Sequence, residues 1–145
     1  MMLGITIAFI FISIGLFLIL NTKFYKIPAP SQLLQKTNVQ FYQDKIIING
    51  EFEFTSVSVA GNSSMKPAIS ETSTLILKKY VPSMQLHEGD IIIFKTVNFP
   101  NGVAHRISGF SNGLILTKGD NNDFFDAYQI YPENITYIVV GVLYT

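Results

Sequence analysis

At 145 residues with no cysteine, the chain has room for one domain and excludes disulfides, thiolate catalysis and Cys-based metal sites. Ten basic and ten acidic residues cancel, which leaves no electrostatic case for a nucleic-acid partner. Two histidines without metal-ligand spacing argue against a zinc site, so neither metal nor cofactor is expected.

The first predicted element is apolar throughout. Residues 1–20 carry no charged side chain, and their hydroxyls are Thr6 and Ser13 alone. Twenty residues as a helix span about 30 Å, the thickness of a bilayer's hydrocarbon core. A helix packed on the surface of so small a domain would need a polar stripe, and this one has none. The segment therefore predicts a transmembrane anchor over residues 1–22. A cleaved secretory signal would want a basic start, a shorter apolar run and a small-x-small site. Met1-Met2-Leu3 at one end and Asn21-Thr22-Lys23 at the other supply none of these. Lys23 and Lys26 follow the segment, and only the terminal amine precedes it. That bias, taken alone, places the body of the protein on the cytoplasmic side.

Residues 23–38 read as a linker, with Ile27-Pro28-Ala29-Pro30-Ser31 extended by its prolines. Residues 39–145 form the predicted body, and its patterns are β. Lys45-Ile46-Ile47-Ile48 and Glu51-Phe52-Glu53-Phe54 flank Asn49-Gly50, a strong two-residue hairpin signal. Apolar positions fall at 52 and 54, then at 57 and 59, so a bulge or a change of partner sheet is expected across Thr55-Ser56. Further strands are predicted over residues 74–80, 90–95, 103–110, 114–118 and 137–143. Turn clusters such as Glu88-Gly89-Asp90, Asn101-Gly102 and Ser111-Asn112-Gly113 separate them. No long amphipathic helix follows the anchor. The expected fold class is mainly β: a single N-terminal transmembrane helix, then a small folded-over β-sheet or barrel-like domain.

Three segments could carry chemistry. In Val57-Ser58-Val59-Ala60-Gly61-Asn62-Ser63-Ser64-Met65-Lys66-Pro67, a strand runs into a sharp polar turn. Such a turn exposes a hydroxyl beside backbone N–H groups, as a nucleophile and its oxyanion hole require. Most serines in turns, however, only satisfy local hydrogen bonds. His105, in Val103-Ala104-His105-Arg106-Ile107, sits on a strand among apolar neighbours and could equally be a core histidine. Asp120, Asp123 and Asp126 share the polar stretch that begins Thr117-Lys118-Gly119, ordinarily a solvated turn; its spacing is not that of a calcium loop.

Taken together and in order, these segments have a specific look. Ser-Met-x-Pro at 64–67, Gly-Asp-Ile-Ile-Ile-Phe at 89–94, His-Arg at 105–106 and Gly-Asp-Asn-Asn at 119–122, with an Asp at 126, resemble the boxes of type I signal peptidases. The match is to the endoplasmic-reticulum and archaeal type, in which His-Arg stands where the bacterial enzymes carry Lys-Arg. It covers residues 57–126, plus the anchor by position.

The resemblance implies a Ser64 nucleophile, a His105 general base, Asp126 orienting the histidine, and Asp120 as a second important acid in the same loop. Lys118 and Gly119 then serve as framework, while Gly89 and Asp90 shape a turn and its adjoining strand. His87 matches no family position and reads as surface. Chemistry agrees with this allocation, because a hydroxyl needs a neighbouring base and an imidazole titrates near neutrality. The Ser64 N–H is an expected oxyanion donor, and Ser63 and Met65, which flank it, are expected to line the same oxyanion and substrate site. Asn62 departs from the family pattern, which usually has Ser there, with its hydroxyl donating to the oxyanion in the bacterial branch; the Asn62 amide is the expected substitute. Asn62-Ser63-Ser64 and Asn134-Ile135-Thr136 are also glycosylation acceptors by pattern.

The implied function is membrane-bound serine endopeptidase, removing signal peptides from exported preproteins on the extracytoplasmic side. That topology opposes the lysine bias noted above. The implied partners are the bilayer, signal-bearing preproteins and other subunits of a signal peptidase complex. Two alternatives share these residues: a membrane protease devoted to one secreted or surface protein, and a non-catalytic subunit that keeps the fold.

Overall fold

The computed structural model describes residues 27–30, 39–50, 52–56 and 63–144. The anchor expected over residues 1–22 lies outside them, as does most of the linker. Among the described residues no helix is long and apolar enough to cross a membrane.

Among the described residues the body is mainly β, and its strand pairings are antiparallel. A two-stranded sheet pairs β1 (Val39–Phe41) with β2 (Ile46–Ile48). A six-stranded sheet contains β3 (Glu53–Ser56), β4 (Thr74–Lys79), β5 (Ile91–Phe94), β6 (Val103–Ser111), β7 (Leu114–Lys118) and β8 (Ile135–Leu143), in the order β3-β4-β8-β5-β6-β7. In that order β3 and β7 are the two ends, so the sheet among the described residues is open rather than a closed barrel.

The strand expectations hold to within a few residues, but one connection differs. Asn49-Gly50 does not join a hairpin: β2 pairs with β1, and β3 pairs with β4 in the other sheet. Gly50, at φ 150°, serves instead where the chain passes from one sheet to the other. The β3–β4 ladder runs from Glu53 to Ser56 without a shift, and the rest of the expected parity switch lies outside the described residues. Register shifts occur elsewhere, at Ile76/Leu77, Ile93/Phe94 and Ile107/Gly109. Between β6 and β7 the two-residue connection is Asn112-Gly113, both with positive φ, the backbone that a tight hairpin demands.

Alternation along β5 explains how one sheet serves two cores. Ile92 and Phe94 enter a cluster with Tyr80, Ile107, Ile130 and Ile138. Ile91 and Ile93 face the other way, toward Met65, Ile69, Leu75 and Val139. Each fully buried side chain of this kind contributes about 1.5–3 kcal/mol. Strand β6 lies between β5 and β7, hydrogen-bonded on both sides. A side chain on β6 is therefore held to a fixed face, and two neighbours there point in opposite directions.

One contact brings the linker to the body. Gly89 turns at φ 97°, and an added Cβ would lie 2.0 Å from the Ala29 carbonyl oxygen. No larger residue fits between that backbone and the turn.

Candidate active site

His105 and Arg106 are consecutive on β6 and so project to opposite faces of the sheet. His105 lies opposite Ile92, on the same face as Ile107 and its β7 partner Thr117. Arg106 lies opposite Ile91 and Lys118. This alternation sorts the acids of the following loop into two sites.

On the first face, His105 Nδ1 is 2.5 Å from Asp126 Oδ2, and His105 Nε2 is 3.0 Å from Ser64 Oγ. The side chains of His105 and Asp126 are 7% and 8% exposed. Phe94 packs edge-on against the imidazole, with centroids 6.3 Å apart. Thr117 donates its hydroxyl to the same Asp126 oxygen at 2.6 Å. An ionised carboxylate only accepts, so Asp126 requires the proton of the ring to sit on Nδ1. Nε2 then presents its lone pair to Ser64 Oγ–H. Hydroxyl, imidazole and carboxylate stand in one file, an arrangement able to draw a proton from Ser64 and to hold the resulting imidazolium.

Ser64 is fixed from two directions. Its own turn closes through Lys66 N–H to Ser63 C=O (3.1 Å) and Ile69 N–H to Met65 C=O (2.9 Å). Met65 and Ile69, one turn apart, bury their side chains against Leu75, Leu77, Ile91 and Val139. Met65 thus has its side chain in the core rather than at a substrate site, leaving its backbone as the part nearest Ser64. From the other direction, Asn121 N–H donates to the Ser64 carbonyl at 2.8 Å. Gly119 lies so close that an added Cβ would meet the Ser64 carbonyl oxygen at 2.7 Å. Ser63 is half-buried in the same turn, and Asn62 lies outside the described residues.

On the second face, Asp120 meets Arg106 rather than His105. Arg106 Nε donates to Asp120 Oδ1 at 2.8 Å and Nη2 donates to Oδ2 at 2.7 Å, a two-pronged pair. Arg106 Nη1 donates to the Gly89 carbonyl at 2.8 Å. Both charged side chains are nearly buried, at 8% and 3% exposed. Asp90 supports this turn: its carboxylate accepts the His87 N–H at 2.9 Å, and its carbonyl accepts the Ile107 N–H at 2.8 Å. The His87 ring is half-exposed and 3.9 Å from that carboxylate.

Of the residues singled out in the sequence, the structure brings Ser64, His105 and Asp126 together and sets Asp120 on the far face. Sequence reasoning gave no task to Arg106 or Thr117. The signal for Arg106 was available, since strand alternation separates it from His105 and a buried guanidinium requires an acid. Among the described residues no cluster of His, Cys, Asp and Glu could hold a metal ion. Compared with protein-family models, with curated proteins and with solved structures, the chain gives no match.

Proposed function

We propose that this chain is a serine endopeptidase of the signal peptidase kind, anchored in a membrane and acting on exported preproteins. The observation that carries the reading is the file from Ser64 Oγ through the two ring nitrogens of His105 to Asp126 Oδ2. It joins residues 41 and 21 positions apart in the chain, and a turn serine with a merely local task has no need of either partner.

Ser64 Oγ attacks the scissile carbonyl as His105 Nε2 takes its proton. Asp126 holds the imidazolium, which then protonates the departing amine. Water enters, gives its proton to His105 and releases the acyl group from Ser64. General base assistance of this kind is worth about 10²–10⁴-fold. The Ser64 N–H and the Asn62 amide are the oxyanion donors in this proposal. The substrate lies extended along a sheet edge, where main-chain pairing sets its register. We assign the β3 edge to it. The edge of β7 is already met by its own chain, through Ile115 N–H to Ile130 C=O and Asp126 N–H to Thr117 C=O. Strand β3 is also the strand that precedes Ser64 in the chain. An apolar anchor keeps the enzyme in the plane where a signal-bearing substrate resides, which raises their effective concentration.

The test is cleavage of a signal-bearing preprotein in liposomes by the full chain, by Ser64→Ala and by His105→Ala, with circular dichroism of each. Cleavage by the parent and none by the folded variants is the expected result. A folded parent that cuts none of a panel of preproteins, or a Ser64→Ala that still cuts, overturns the proposal.

A further inference from the structure

Asp126 Oδ2, the oxygen that faces His105, accepts two hydrogen bonds: 2.5 Å from the imidazole Nδ1 and 2.6 Å from Thr117 Oγ1. Thr117 also takes the Asp126 backbone N–H on its carbonyl, at 2.9 Å. The two contacts clamp the acid at both its main chain and its side chain. Residues 119–125 lie between the end of β7 at Lys118 and Asp126, so the position of Asp126 is decided where Thr117 stands on β7. Thr117 is 1% exposed and sits in register with Ile107, two residues beyond His105 on the same face. A hydroxyl has one proton, and here it goes to the carboxylate, which can only accept.

We propose that Thr117 is the positioning residue of the Ser64–His105–Asp126 file, an inference that rests on the serine-endopeptidase reading. Its hydroxyl fixes which carboxylate oxygen meets Nδ1 and the angle at which it does so. The imidazole proton then stays on Nδ1, and the Nε2 lone pair stays on Ser64. Without the hydroxyl, Asp126 can turn about its χ2 and present its oxygens to His105 in more than one way. Asp120, on the other face, gains its orientation instead from the fork of Arg106.

The experiment compares the full chain in detergent micelles with Thr117→Val and Thr117→Ser. Valine matches threonine in shape and removes the donor, and serine restores the donor on a smaller side chain. Two readouts are taken on each folded protein. One is kcat and KM on a signal-bearing peptide. The other is the low-field proton resonance of His105 Nδ1–H, assigned by its loss in His105→Gln and measurable without turnover.

Thr117→Val is expected to lower kcat about ten- to hundredfold with KM held, the range set by one hydrogen bond to a charged group. It is also expected to shift or broaden the Nδ1–H resonance, and Thr117→Ser to return both toward the parent. If the resonance in Thr117→Val is that of the parent, the proposal is overturned whatever the cleavage rate. If serine fails to restore it, the methyl packing rather than the hydroxyl is at work, and the proposal is overturned likewise. Should the parent cut nothing, the endopeptidase reading fails by itself, and the resonance still decides whether Thr117 orients Asp126.

Discussion

Replacing Asp120 by Ala asks whether this acid belongs to the reacting file or to the framework beneath it. The side chain is 3% exposed and meets Arg106 in two hydrogen bonds, with the guanidinium itself 8% exposed. Its loss leaves Arg106 with the Gly89 carbonyl but without a counter-charge. Breaking a buried pair by removing one partner costs about 3–5 kcal/mol, because the remaining charge stays buried and uncompensated. For a body of this size, at about 4 °C per kcal/mol, the melting midpoint falls by about 12–20 °C. The assay is thermal unfolding of the full chain in detergent, followed by circular dichroism. A companion variant, Arg106→Met with Asp120→Leu, removes both charges and is expected to recover most of the loss. Asp126→Asn gives the opposite pattern, a far smaller shift in midpoint with turnover down by about 10⁴-fold, since the wrong tautomer then faces Ser64. If Asp120→Ala costs less than about 1 kcal/mol, or the double variant is no more stable than the single one, the buried-pair argument is wrong.

Two further outcomes follow from the turn that carries Ser64. Gly119→Ala would set a methyl 2.7 Å from the Ser64 carbonyl oxygen, and backbone cannot swing away as a side-chain end can. Overpacking of this kind costs about 1–3 kcal/mol, and a displacement of Ser64 by about 1 Å is enough for a hundredfold fall in kcat; a variant with parental kcat refutes the close approach. Asn62→Ala is expected to lower kcat about 10²–10³-fold if its amide meets the oxyanion, and unchanged turnover rules that donor out.

Much of this fold was legible because short apolar runs bounded by turn residues leave few other readings. Ile91 to Phe94 and Ile135 to Leu143 are apolar at nearly every position, which marks strands buried on both faces, and they lie side by side in the middle of the sheet. Asn112-Gly113 was legible as a turn for a local reason, since both residues accept positive φ. Asn49-Gly50 offered an equally good local signal and closed no hairpin. Turn chemistry states that the chain can reverse; which strand lies beside β3 depends on β4 reaching it from 18 or more residues away. Pairing partners are a property of the whole sheet, and two adjacent residues cannot encode them.

The candidate site divides along the same line. Ser64, His105 and Asp126 stand out by type and order, and a file of hydroxyl, imidazole and carboxylate needs those types. The separate destinations of Asp120 and Asp126 were not legible from their loop, where both are acids in a polar run. Strand parity on β6 decides the matter. Because His105 and Arg106 are neighbours, one faces Thr117 and the other Lys118, and each draws the acid whose loop position reaches its face. The order of the loop follows from this geometry: Asp120, just past the end of β7, can reach only the nearer guanidinium, while Asp126 returns beside Thr117 to the imidazole. A one-residue slip of β6 against β7 would exchange the two faces and set Arg106 against Thr117. In the observed register both contacts form at once, the buried Arg106–Asp120 pair on one face and the His105–Ser64 contact on the other.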